Sequence, residues 1–310
     1  KCAGRTVTAV NQANVKSRAL PVAMIAAMRP RQWVKNVLVF AAPLAAGQLF
    51  EVDVFWASVG AFVMFCVISS ATYLINDIKD RESDREHPSK CQRPIAAGEL
   101  SVPLAISLAV VLAVIALAGS YAIAPALAAV VLAYAVFTVS YSMLFKHEPV
   151  IELALLSMGF LLRAVAGGAA SGLPISQWFL IVAGFGSLFM AAGKRFSELK
   201  REETTGSQSE NRRKSLDGYS LSYLQFVWGT AAAVTIMGYA LWAFDVAQTP
   251  SSLAWAEWSV LPFVLAILRY GIVIDRGDAE APEEAVTADK ALLLLGAAWL
   301  ILFAMGALGI

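Results

Sequence analysis

Apolar residues run along this chain in long blocks separated by short polar stretches. The blocks fall near residues 36–50, 54–75, 103–120, 123–144, 150–170, 176–193, 220–243, 255–274 and 290–309. An α-helix needs about 20 apolar residues, in a range of about 17–25, to cross the hydrocarbon of a bilayer. All but the first block reach that range. The pattern predicts an all-α polytopic membrane protein with nine transmembrane helices, the first of them short.

Composition narrows the class further. Of 310 residues, 58% are hydrophobic and only 15% charged, against about 25% charged in ordinary soluble domains. A disordered chain, a coiled coil and almost any water-soluble enzyme are excluded. The net charge of +1 is uninformative, but its placement is not. Lys and Arg gather in the N-terminal region through Lys35, in the 76–102, 144–149 and 194–218 loops, and in the 269–290 region. The loops near 51–53, 119–124, 170–177 and 244–258 have none. Basic loops face the cytoplasm, so the N-terminus is expected there and, after nine spans, the C-terminus outside. One cation, Arg163, lies within a span.

The first 20 residues hold no apolar core, so no secretory signal is expected. Residues 19–35 mix apolar positions with Arg29, Arg31, Trp33 and Lys35, which suits a helix at the cytoplasmic interface or, equally, a charged flank of the first span. Pro30 is expected to separate it from the first span. Residues 1–27 form a polar extension and the start of that segment. Residues 28–310 form one transmembrane domain, whose loops 76–102 and 194–218 make the polar site. Cys2, Cys66 and Cys91 have no ligand spacing and are read as free thiols. The acidic stretch Asp275–Glu284 is read as a solvated connector. Trp33 and Trp178 are read as interface anchors, and His87 and His147 as loop residues without a catalytic role.

The second span ends in a dense polar run containing Asn76, Asp77, Asp80 and Asp84. On one continuous helix these four share a face, where like charges repel unless a cation sits among them. Hard oxygen ligands suit Mg²⁺, which also binds substrate phosphates. Polar groups at a membrane edge usually carry function. Downstream, Lys90, Arg93, Pro94, Ile95 and Gly98 form K-x-x-R-P-I-x-x-G. Cations there are expected where several phosphates bind, although ordinary cytoplasmic charge explains them equally well.

The run NDxxDxxxD at the cytoplasmic end of the second span, followed by RPIxxG, resembles the UbiA superfamily of membrane prenyltransferases. That superfamily carries a second acidic motif after the sixth span. Here the corresponding place reads Gly193-Lys194-Arg195-Phe196-Ser197-Glu198, with two cations and one carboxylate. Together with RPRQWVKN (29–36), RAVAGG (163–168) and RKSLDGYS (213–220), this resembles the decaprenyl-phosphate phosphoribosyltransferase branch. The resemblance runs from about residue 28 to the end.

The resemblance implies Mg²⁺-dependent transfer of 5-phosphoribose from phosphoribosyl pyrophosphate (PRPP) to decaprenyl phosphate, for arabinan synthesis in the cell wall. It implies the plasma membrane of a bacterium, with the site facing the cytoplasm. Asp77, Asp80 and Asp84 would be catalytic and, with Asn76, hold the metal. Lys35, Asn76, Lys90, Arg93, Tyr141, Lys146, Arg163, Lys194, Arg195 and Glu198 would bind PRPP and the lipid phosphate. Arg213 and Lys214 are further cations for them. Arg163 is alternatively a structural cation, snorkelling or paired with Glu152, and Tyr141 an interfacial anchor. The implied partners are PRPP, decaprenyl phosphate and membrane lipids, with no nucleic acid. Association into a homo-oligomer is left open. Two other readings remain: prenyl transfer to an aromatic acceptor, and a non-enzymatic lipid- or sugar-phosphate transporter.

Overall fold

The fold is described from a computed structural model, over residues 18–87, 89–205, 216–246 and 254–308. Among these residues every element is helical. The chain opens with α1 (Leu20–Ala27), a 3₁₀ helix (Pro30–Phe40) and a short α2 (Ala41–Ala45). Then come α3 (Val52–Lys79), α4 (Arg81–Glu86), α5 (Val102–Ile123) and α6 (Pro125–Ser140), the last running into a π turn (Tyr141–Phe145). The rest is α7 (Ile151–Ser171), α8 (Gln177–Thr205), α9 (Leu221–Val246), α10 (Trp255–Arg276), α11 (Pro282–Ala288) and α12 (Lys290–Leu308).

Among the described residues, eight helices are long and apolar enough to cross a membrane: α3, α5, α6 with its π turn, α7, α8, α9, α10 and α12. The first apolar block differs from its expected form. Instead of a long α-helix, it is the 3₁₀ helix followed by α2. A 3₁₀ helix rises about 2.0 Å per residue, so its eleven residues cover about 22 Å and α2 adds about 7 Å. Its path runs from Arg29, against Asp77 at the basic end, to Gly47 at the other. A Cβ on Gly47 would meet the Ala307 carbonyl near the end of α12, and its φ of +68° suits glycine.

The buried side of this segment repeats every three residues. Asn36, Val39 and Ala42 are buried, while Arg31, Val34 and Val37 are exposed. That is the periodicity of a 3₁₀ helix, whose side chains at i and i+3 eclipse. The inward face packs on α3 and α7. Gly167 permits the contact, because a Cβ there would lie 2.1 Å from the Val39 carbonyl oxygen.

Two helices outrun the membrane. At about 1.5 Å per residue, α3 and α8 are each more than about 40 Å long, against roughly 30 Å of hydrocarbon. Their excess lies at the basic end, where α3 delivers Asp77 and α8 delivers Lys194 to Thr205. The connector at 275–284 keeps Asp275, Asp278 and Glu284 exposed, as expected, and is also tied to α8. Lys200 reaches the Asp275 carbonyl, and Arg201 pairs with Glu280 at 2.9 Å.

Candidate active site

The acidic run does not form one helix. Helix α3 stops at Lys79, Asp80 sits at the junction with φ −91° and ψ 5°, and α4 starts at Arg81. The expected single face is therefore broken into two parts. Asp77 and Asp84 are buried, at 2% and 3% exposure, and share one cation. Arg93 Nη1 lies 3.2 Å from Asp77 Oδ1 and 2.6 Å from Asp84 Oδ2. Asp80 has a separate cation and accepts from Lys146. Asn76 is half-buried on the last turn of α3.

The loop after α4 explains why Arg93 is held there. Arg85 Nε donates to the Ala96 carbonyl at 3.1 Å. Ile95 is buried against Leu74 and Leu100. The Ala97 N–H closes a turn on the Arg93 carbonyl at 2.8 Å. His87 has a structural part, with its Nδ1 accepting the Ser89 and Lys90 backbone N–H groups at 3.2 and 3.3 Å. Lys146 follows the π turn that ends α6, a distortion frequent at functional sites.

Sequence reasoning missed one residue here. Arg29 donates from Nη2 to Asp77 Oδ1 and lies over the Tyr73 ring, 5.1 Å from its centroid. Its backbone is left-handed, with φ +54°, directly before Pro30. The available signal was a cation at the membrane edge, opposite an aspartate at the same depth. Three carboxylates thus meet three cations: Asp77 and Asp84 with Arg29 and Arg93, and Asp80 with Lys146. Among the described residues no three acidic, His or Cys side chains converge tightly enough to enclose an ion. The oxygen donors still suit Mg²⁺, which keeps several waters and completes its shell with phosphate oxygens.

The sequence placed Arg195 among phosphate-binding cations, but its donors point inward. Nε and Nη2 engage both oxygens of Glu152, at 2.7 and 2.9 Å. Nη1 donates to Glu198, and Nη2 also reaches the Tyr141 hydroxyl at 3.3 Å. Arg195 is 2% exposed and Glu152 fully buried. Glu198 and Tyr141, expected at phosphates, belong to this network. Nearby, the Val150 N–H donates to the Tyr219 hydroxyl at 2.6 Å. Burial pushes that phenol up to about 12, so it stays neutral.

Arg163 is likewise engaged by protein groups. It does not pair with Glu152; it donates to Asn36 Oδ1 at 2.8 Å, the Gly159 carbonyl at 2.8 Å and the Tyr134 hydroxyl at 2.7 Å. The guanidinium stacks on Tyr134, 4.6 Å from the ring centroid. It clasps the 3₁₀ helix to α6 and α7, about three turns along α7 from its start at Ile151. Asn36 is itself bound to α3, through Cys66 Sγ at 3.3 Å and Ser69 Oγ at 3.4 Å. Cys66 is a buried free thiol and Cys91 is half-buried, while Cys2 lies outside the described residues. Trp33, expected as an interface anchor, donates to Ser70 Oγ at 3.1 Å.

Lys35 sits one residue before Asn36, Lys90 three before Arg93, and Lys194 beside Arg195. Arg213 and Lys214 lie outside the described residues. On the far side of α7 an apolar cavity of about 540 Å³ opens between α7, α8 and α9. It is lined by residues such as Leu153, Leu161, Phe185, Leu188 and Val227.

A family model described as the UbiA prenyltransferase family matches residues 36–301. A Corynebacterium glutamicum protein named decaprenyl-phosphate phosphoribosyltransferase is 49% identical over 287 residues, covering 91% of this chain and 86% of the relative. A Mycobacterium tuberculosis protein of the same name is 46% identical over 285 residues, covering 91% and 93%. Among solved structures, a UbiA homologue from Archaeoglobus fulgidus bound to GPP and Mg²⁺ superposes with a TM-score of 0.67 at 18% identity, covering 93% of this chain and all of that one. The chain belongs to the UbiA prenyltransferase family.

Proposed function

We propose that this protein is a decaprenyl-phosphate phosphoribosyltransferase. It transfers 5-phosphoribose from PRPP to decaprenyl phosphate and releases pyrophosphate. The observation that carries the reading is 46–49% identity over 91% of the chain to relatives of that name. The cluster of three carboxylates and three cations supports it, because a diphosphate and two phosphates need both signs of charge.

Asn76, Asp77, Asp80 and Asp84 would hold Mg²⁺, which offsets the charge that develops on the leaving pyrophosphate. Arg93 and Lys146, with Lys35, Lys90 and Lys194, position the phosphates. The lipid phosphate is already ionised near neutral pH, so no strong base is required at the attacking oxygen. Positioning by the cations supplies much of the effect. Attack at the ribose C1 from the face opposite the pyrophosphate gives inversion. The apolar α7–α8–α9 cavity suits part of an isoprenoid chain.

The protein is read as an integral protein of a bacterial plasma membrane. The chain crosses nine times, counting the 3₁₀ segment, with the N-terminus and polar site on the cytoplasmic face. Residues 28–310 form one domain, and the lipid product feeds arabinan synthesis. The test is incubation of purified protein with labelled PRPP and decaprenyl phosphate, with Mg²⁺ or with EDTA. Mg²⁺-dependent label in lipid, with pyrophosphate release, is expected. Transfer only from a prenyl diphosphate to an aromatic acid would overturn the reading.

A further inference from the structure

The Arg29 guanidinium holds one oxygen of a carboxylate that a metal would need. It donates to Asp77 Oδ1, the same oxygen that Arg93 contacts at 3.2 Å. A dication on Asp77 would lie within a few ångströms of both guanidiniums. At such distances like charges in a partly buried site repel strongly. The pairing of three carboxylates with three cations is balanced, so an added metal ion leaves surplus positive charge. That surplus is relieved when a cation moves or an anion arrives.

Arg29 is the cation built to move. Arg93 is locked between two carboxylates in a loop anchored by buried Ile95. Arg29 stands outside the acidic loop, at the break between α1 and the 3₁₀ helix. Its φ of +54° is rare for a residue with a side chain, and the residue before a proline favours extended backbone. Such strain persists only while surrounding contacts hold it. Its side chain is 24% exposed. Tyr73, one turn before Asp77, provides a ring surface over which the guanidinium can pivot.

We propose that Arg29 is a metal-competing, diphosphate-binding residue: it yields Asp77 to the metal and transfers its guanidinium to a phosphate of the incoming diphosphate. This rests on the reading of the carboxylates as a metal–diphosphate site. Metal alone then binds weakly against the Arg29–Asp77 pair. Metal with a diphosphate binds tightly, because the released cation gains a new partner. The coupling is reciprocal, as linkage requires.

The test needs neither PRPP nor lipid. Mn²⁺ binding to the full chain in detergent is followed by electron paramagnetic resonance, with and without inorganic pyrophosphate. Arg29→Gln is expected to bind Mn²⁺ alone about tenfold more tightly than the unaltered protein. The enhancement by pyrophosphate is expected to shrink by more than about tenfold. Tyr73→Leu leaves every charge in place and gives the same directions with smaller factors, which covers a failure of Arg29→Gln to fold. Unchanged or weaker Mn²⁺ binding in these variants would overturn the inference. Absence of Mn²⁺ binding under every condition would instead overturn the metal–diphosphate site itself.

Discussion

Arg195 and Glu152 join α8 to α7 through a two-pronged ion pair, with Nε and Nη2 at 2.7 and 2.9 Å from the two carboxylate oxygens. Both side chains are sealed from solvent. Removing one partner of a buried pair strands a charge, which costs about 3–5 kcal/mol. Glu152→Ala is therefore expected to lower stability by about that amount. The double variant Glu152→Leu/Arg195→Met should be much closer to the unaltered protein. Thermal unfolding in detergent checks both. If both single and double variants melt normally, the pair is not what holds the helices together.

The acidic cluster predicts a sharp split between activity and folding. Asp77→Asn and Asp84→Asn keep shape and hydrogen-bonding capacity but remove charge. Transfer of label from PRPP should fall by about 100-fold or more in each, the scale of losing one strong electrostatic contact at a reacting group. The chromatographic profile should not change. Near-normal rates in either variant would remove these residues from the chemistry.

Lys146→Met tests a different step. Its ammonium meets Asp80 beyond the π turn, and phosphate positioning is its proposed task. The expected result is a KM for PRPP raised about tenfold with a smaller change in kcat, as for lost uniform binding. A change in kcat alone would place Lys146 elsewhere in the reaction.

Two neighbouring glycines should differ. A Cβ at Gly167 would meet the Val39 oxygen at 2.1 Å, whereas at Gly168 its nearest contact, with Ile175, is 3.2 Å. Gly167→Ala is expected to cost about 1–3 kcal/mol or more, the range for overpacking. Gly168→Ala should cost less. Melting curves of the two proteins decide it, and equal losses would contradict the tight approach.

Asp289 links stability to pH. It caps α12, with Oδ1 accepting the Ala291 and Leu292 N–H groups at 2.9 and 3.2 Å, while Arg269 donates to Oδ2 at 2.8 Å. The Arg269 hydrogen bond, with help from the two backbone N–H groups, holds its carboxyl below the ordinary value. A lowered carboxyl adds stability that is present above its unfolded value and lost as pH falls through the folded one. Asp289→Asn should lower the melting temperature at pH 7, and by progressively less as pH falls below the ordinary carboxylate range. An equal effect throughout would show that charge is unimportant there.

Hydropathy located the long helices well, because each buries or exposes an apolar surface of bilayer length. The block at 54–75 became Val52–Lys79, and that at 103–120 became Val102–Ile123. It stopped too early on α8, which continues through charged Lys200 and Arg201 to Thr205. Hydropathy reports the membrane, not the helix, and here the helix leaves the membrane. Asp77, Asp84 and Arg93 were legible as one site because a motif brought them within seventeen positions. The partners of Arg163 and Arg195 were not legible. Asn36 lies 127 positions from Arg163, and Glu152 lies 43 from Arg195, distances that only the packed fold closes. A charge pattern alone therefore could not name the protein partners of either cation.

The three-residue repeat of the 3₁₀ segment carries a consequence for how this chain tolerates changes of length. Each residue in residues 30–40 advances the side chains by about 120°. One added or deleted residue between Trp33 and Asn36 would turn Asn36 out of the clasp with Arg163, and would put Lys35 or Val37, respectively, opposite a buried guanidinium. Three residues would restore the facing but slide it by about 6 Å. Alignments of related chains should therefore be gapless through this stretch, and insertions should accumulate outside it.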